Sequence, residues 1–295
     1  MYSQIESNKR KTVFLIFIFT LIILILGALL GYFYENIYGG VLVAIMISLF
    51  ISFFGFFQAD RVALASSGAK RIESKDHPEL YRLVENLAIS AGLPTPAIYI
   101  ITDPSPNAFA TGRDPNHASV AVTTGLLSIM EKIELEGVIA HELSHIKNYD
   151  IRVMTIIVVL FGLIVLLSDF LMRSFFFSRR EGREGQATVI LMIIGIILAI
   201  LSPFIAEIIK LAISRNREYL ADASGALMTR YPEGLARALE KIAAHDRPLK
   251  RANHATAHLF LANPFDPHVS KKFESWFSTH PPIEERIKKL RLMMS

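Results

Sequence analysis

His141-Glu142-Leu143-Ser144-His145 places two histidines four residues apart, with an acid directly after the first. On a helix, residues four apart leave the same face, so both imidazoles can reach one metal ion about 2 Å from each ring nitrogen. Glu142 stands at the edge of that face, where its carboxylate can reach the attacking water without ligating the metal. This is the H-E-x-x-H arrangement of zinc hydrolases, two ligands and a general base. Chance would produce it in roughly 2 of 100 sequences of this His and Glu content. Leu135, Val138, Ile139, Leu143 and Ile146 recur at helical spacing, so the expected helix packs into a core. A buried His-Glu-His cluster without a counter-ion would be costly there.

The 295-residue chain as a whole is unusually apolar, at 52%. Lys9-Arg10-Lys11 precedes an uncharged run, Val13 to Phe33, long enough to span a bilayer and too long for a signal-peptide core. A second run, Val41 to Phe57, follows the short Tyr34–Gly40 connection, and two more cover Val153 to Met172 and Ala187 to Ala206. Basic residues cluster before the first run and, as Arg61, Lys70, Arg71 and Lys75, after the second. The intervening connection has none, so both ends of this hairpin are expected in the cytoplasm. The last two runs enclose Arg173, Arg179, Arg180 and Arg183, against that bias; their length favours spanning over a re-entrant hairpin. The chain therefore divides into hydrophobic hairpins at 1–57 and 151–206 and polar blocks at 58–150 and 207–295.

The sequence has no cysteine, which excludes disulfides, thiolate ligands and a cysteine nucleophile. Its formal charge of +4 is dispersed and no nucleic-acid motif is present, so lipid and protein are the expected partners. Residues 58–150 read as α+β: a helix from Asp76 to Gly92, then strands at Ala97–Ile101, Asn107–Thr111 and Ser119–Thr123. This small sheet either supports the metal helix or offers an open edge to which a substrate adds as a strand. Later helices are expected at Pro232–His245 and Ile283–Leu292. The fold class is α+β, mostly helical, with a sheet beside the metal helix and up to four transmembrane helices.

Two histidines need a third ligand, and a carboxylate from another helix is a common one. Glu218 and Asp222 are four apart on an amphipathic stretch. They either form a solvated face paired with Arg215 and Arg217, or serve the metal. In the second case Glu218 is the ligand and Asp222 accepts from the far nitrogen of a ligating histidine. Should Glu218 not ligate, His254, His258 and His268 are the replacements.

Four blocks, Pro106-Asn-Ala-Phe-Ala-Thr-Gly112, Glu136-Gly-Val-Ile-Ala-His-Glu-Leu-Ser-His145, Arg217-Glu-Tyr-Leu-Ala-Asp222 and Ser278-Thr-His-Pro-Pro-Ile-Glu-Glu-Arg286, give the chain a resemblance. It resembles the HtpX family of bacterial membrane zinc endopeptidases, relatives of the CAAX prenyl protease. The likeness covers nearly the whole chain. It implies a gluzincin fold with one zinc on His141, His145 and Glu218, Glu142 as base, and a role in clearing damaged membrane proteins. His280 stands before Pro281 and Pro282, which fix the backbone. It either caps the last helix or donates to the developing oxyanion. The family's Thr-His-Pro-Pro block favours the second, with Arg286 holding the segment. A membrane-bound zinc endopeptidase acting on the cytoplasmic side is the function expected. A zinc-containing scaffold would need no Glu142. A transporter would place ionisable groups well within its spans, where only Asp169 lies, near an end.

Overall fold

A computed structural model describes residues 2–160, 162, 164, 195–197, 215–245, 248–251, 256–262, 264 and 281–294. Helices α1 (Tyr2–Phe33) and α2 (Ile37–Ser66) form a hairpin, and both are long and apolar enough to cross a membrane. Val13, Phe14, Phe17, Phe50 and Phe53 are exposed along it, as side chains facing lipid would be. The connection is shorter than Tyr34–Gly40. It comprises Tyr34, Glu35 and Asn36, and the Asn36 side chain caps α2 by accepting from the Gly39 N–H at 2.9 Å. Gly39-Gly40 suggests a loop, yet Gly40 lies inside the hairpin: a Cβ there would strike the Gly27 carbonyl and sit 2.8 Å from the Gly31 Cα. Small residues let the two backbones approach this closely.

After α2 come β1 (Ala69–Arg71), α3 (Pro78–Ala91), β2 (Ala97–Ile101), β3 (Ala108–Asp114) and β4 (His117–Thr123). The helix expected from Asp76 is capped one residue later, by His77, while Asp76 accepts from the Glu73 N–H. Gly92, at φ 69°, ends it. The sheet order is β1-β2-β4-β3, with β2 and β4 parallel and the other pairs antiparallel. Strand β1 has three residues, two of them basic, and carries no apolar alternation by which to be read.

Strand faces separate two cores. Ile98, Ala108, Ala110, Val120 and Val122 pack against α3 and against α5 (Lys132–Lys147), which follows the short α4 (Thr124–Ile129). Ile101, Phe109 and Ala121 pack against α1, α2 and the buried start of helix α6 (residues 150–160). The third apolar run thus begins inside the protein. Its remainder, 165–172, and most of 187–206 lie outside the described residues. Helices α7 (Arg215–Thr229), α8 (Pro232–Ala244) and α9 (Ile283–Leu292) close the α5 side.

Strand β3 is the edge beside α5, but the expected open edge is largely closed. The Asn107 carbonyl pairs with the Thr123 N–H, so the peptide groups of Ala108, Ala110 and Gly112 face away from β4. There the Ala108 carbonyl accepts from Leu261 N–H at 2.9 Å, and Gly112 N–H donates to Thr155 Oγ1 at 3.1 Å. A returning segment of the chain takes the place an added strand would occupy.

Candidate metal centre

Helix α5 is buried from Gly137 to Ile146, and its N-terminus is fixed by a reciprocal capping box between Glu131 and Glu134. Glu134 is itself buried and held by Lys241 of α8 at 2.6 Å and Arg237 at 3.3 Å. Helix α7 crosses α5 at Gly225, where a Cβ would sit 2.9 Å from the His141 backbone nitrogen. Glu218, Asp222 and Gly225 share a face of α7 by their four- and seven-residue spacing. Close approach at Gly225 therefore seats both acids against the histidines.

The Nε2 atoms of His141 and His145 lie 3.1 Å apart, and Glu218 oxygens lie 3.8 and 3.6 Å from them. Ligands at about 2.0–2.1 Å in a tetrahedral set stand roughly 3.3 Å from one another, so the spacing suits a metal. Hydrogen bonding agrees. His141 Nδ1 faces Asp222 at 2.9 Å and His145 Nδ1 faces Asp150 at 3.0 Å. Each Nδ1 must carry a proton to donate to its carboxylate, which leaves a lone pair on each Nε2. Two lone pairs and a carboxylate then converge in a buried space, and that arrangement calls for a cation. With no cation bound, burial works against the charged form of His145, yet Asp150 and Glu218 raise its pKa to about 9, so a proton then supplies the positive charge the cluster demands. Among the described residues, the His, Asp and Glu donors grouped this closely are His141, His145 and Glu218, all within 4.8 Å.

Glu142 is buried alongside, with the Ala110 N–H donating to its carboxylate. Burial, with the nearby Glu218 charge and against that of His145, raises it to about 7. Burial pushes Asp222 the other way from its partners, Arg286 and His141, which outweigh it and hold Asp222 at about 2. Arg286 is fully buried and grips Asp222 through two bonds of 2.9 and 2.7 Å, with a third to the Leu261 carbonyl at 3.1 Å. It also stands 4.0 Å from Glu218.

The structure thus brings together His141, Glu142, His145, Glu218, Asp222 and Arg286. The alternative of a solvated α7 face fails, because Arg217 is buried and pairs with Asp150 at 3.0 Å rather than with Glu218 or Asp222. His258 is committed elsewhere, with Nε2 at 2.8 Å from the Met154 carbonyl. His254, His268 and His280 lie outside the described residues. The N-cap of α9 is Pro282, not His280. Sequence reasoning missed Asp150; its signal was an acid just past the end of the metal helix, after a turn in which Tyr149 takes φ 61°.

The family model for "Peptidase family M48" matches residues 74–294. The chain belongs to peptidase family M48. It is 52% identical over 293 residues to the "Protease HtpX homolog" of Dictyoglomus turgidum, covering 99% of this chain and 94% of that protein. Its identity to the homologue of the same name from Thermoanaerobacter pseudethanolicus is 48%, over 99% and 97% of the two chains. The crystal structure of S. mikatae Ste24p aligns with a TM-score of 0.51 at 19% identity, over 98% of this chain and 67% of that one. That likeness shows a shared fold.

The Asp222–Arg286 pair has a measurable consequence. Asp222→Ala should weaken metal binding by about 10- to 100-fold, by freeing His141 Nδ1. It should also lower the stability of the metal-free protein by about 3–5 kcal/mol, because Arg286 is left buried without its carboxylate. Zinc competition and urea unfolding read the two effects, and wild-type values in both would remove the pair from the site.

Proposed function

We propose that the chain is a membrane-anchored zinc endopeptidase that cleaves misfolded or damaged membrane proteins on the cytoplasmic face of a bacterial membrane. The observation carrying this is the buried convergence of His141, His145 and Glu218 with Glu142 beside them. Zinc held by those three would supply Lewis acidity and a water acidic enough to be deprotonated near neutral pH. Glu142 takes that proton and passes it to the leaving amine. Asp222 and Asp150 fix the histidine tautomers, and Arg286 holds Asp222 in place. We read 58–150 and 207–295 as two halves of one catalytic domain, interleaved with hydrophobic hairpins at 1–57 and 151–206. Internal cleavage of an unfolded protein by the purified enzyme, read by mass spectrometry of the fragments, tests the endopeptidase assignment. Stepwise trimming from one terminus would contradict it.

Orientation rests on the basic residues flanking α1 and α2. The chain has no cysteine, so single cysteines report cleanly. Tyr34→Cys should react with an impermeant thiol reagent in intact cells, and Asn116→Cys only after lysis. The reverse pattern would invert the topology.

For His280 we keep the role of oxyanion donor, supported by the Pro281-Pro282 mount and by the anchoring of α9 through Arg286. His280→Ala should retain zinc and lower kcat by about 10²–10³-fold with a smaller change in KM. Near-normal kcat would end that role.

A further inference from the structure

Helix α1 has 32 residues, so it is about 48 Å long, well beyond a hydrocarbon core of about 30 Å. The excess lies at its N-terminal end, before Val13, and that end is folded against the catalytic half. Asn8 is buried there. Its amide nitrogen donates to Asp150 Oδ1 at 2.7 Å and to the Asn148 carbonyl at 2.8 Å. Both partners are acceptors, so only the NH₂ of the amide can serve them, and an acid at this position could not. Asp150 is the carboxylate that faces His145 Nδ1 through its other oxygen. A continuous line of hydrogen bonds therefore runs from the membrane anchor to a proposed zinc ligand: Asn8, Asp150, His145.

We infer that Asn8 is a positioning residue of the metal centre, and that the anchoring helix is structurally part of the site rather than a tether for it. The inference rests on the reading of His145 as a ligand. Asp150 stands at the first residue of α6, just after the turn that ends α5. Asn8 ties down both the turn, at the Asn148 carbonyl, and the carboxylate, so His145 is aimed from outside its own helix. Arg217 holds the same Asp150 oxygen as Asn8 from the α7 side, at 3.0 Å. Asn8 lies five residues before the apolar run, about 8 Å along the helix axis. The metal centre thus stands close to the membrane boundary, where a segment leaving the bilayer would meet it.

The test uses the full-length protein in detergent, stripped of metal and titrated with cobalt(II), whose visible absorption reports its ligands. Asn8→Asp is isosteric but sets a carboxyl against Asp150, and it should weaken cobalt about tenfold, the lower end for groups outside the ligand shell. Asn8→Ala should do so to a smaller extent, and it carries the comparison if Asn8→Asp does not fold. In an Asp150→Asn background the Asn8→Ala change should have no further effect, because the link is already broken. Thr12 is buried one turn along α1, where its hydroxyl donates to the Asn8 carbonyl at 2.9 Å, so Thr12→Val should leave cobalt binding unchanged. Wild-type affinity in both Asn8 variants, or an equal loss in Thr12→Val, would overturn the role of Asn8 and leave the metal centre standing. A wild-type protein that binds no cobalt would instead overturn the metal centre, and the role of Asn8 with it.

Discussion

Glu142→Gln should leave zinc bound and remove cleavage. The substitution keeps the size of the side chain and takes away only its capacity to accept a proton. Glu142 is buried on α5 at the edge of the face that carries the two histidines, and neither His141 nor His145 uses it as a hydrogen-bond partner at Nδ1; those positions belong to Asp222 and Asp150. The metal set is therefore intact in the variant. What is lost is general-base catalysis, which contributes about 10²–10⁴-fold to rate, and a fall of that size in kcat is expected with KM nearly constant. Equal zinc content in the two proteins makes the comparison clean. A variant that retains most of its turnover would assign the base elsewhere, and one that loses zinc would place Glu142 among the ligands.

Glu218→Ala is the second large effect. Its carboxylate is fully buried, with oxygens 3.8 and 3.6 Å from the two Nε2 atoms, and no other described acid takes that position. Outer partners of ligating histidines are worth about 10–100-fold in metal affinity, so removal of a ligand should exceed 100-fold. Cleavage should disappear with the metal. The shape of the site should survive, since α7 remains anchored by Asp222–Arg286 and by the Gly225 crossing. Full zinc occupancy in Glu218→Ala would exclude it as a ligand and turn attention to His254 and His268.

The parts of this fold legible in the sequence are those encoded by local pattern. Helix α5, strands β2 to β4, α8, α9 and the first hairpin follow from apolar periodicity, and Gly92 ends α3 where a left-handed residue is needed. The pairing of His141 with His145 was legible because a four-residue spacing on a helix places both on one face. Elements held together by distant pairing were not legible. Asp150 and Arg217 read as ordinary charges until α7 is laid on α5, and Asn8 reads as part of a basic leader until its amide is found on Asp150. The closed edge of β3 is of the same kind, since Asn107–Thr111 looks free until Leu261 and Thr155 return to it. Contacts between residues tens of positions or more apart in the chain leave no period to read.

The most direct test of the central claim is a titration of the metal-free, full-length protein with zinc while cleavage of an unfolded substrate is followed. Activity should rise in proportion to zinc and level off at one equivalent per chain. Cleavage by the fully metal-free protein, or none at one bound equivalent, would contradict a zinc centre built from His141, His145 and Glu218.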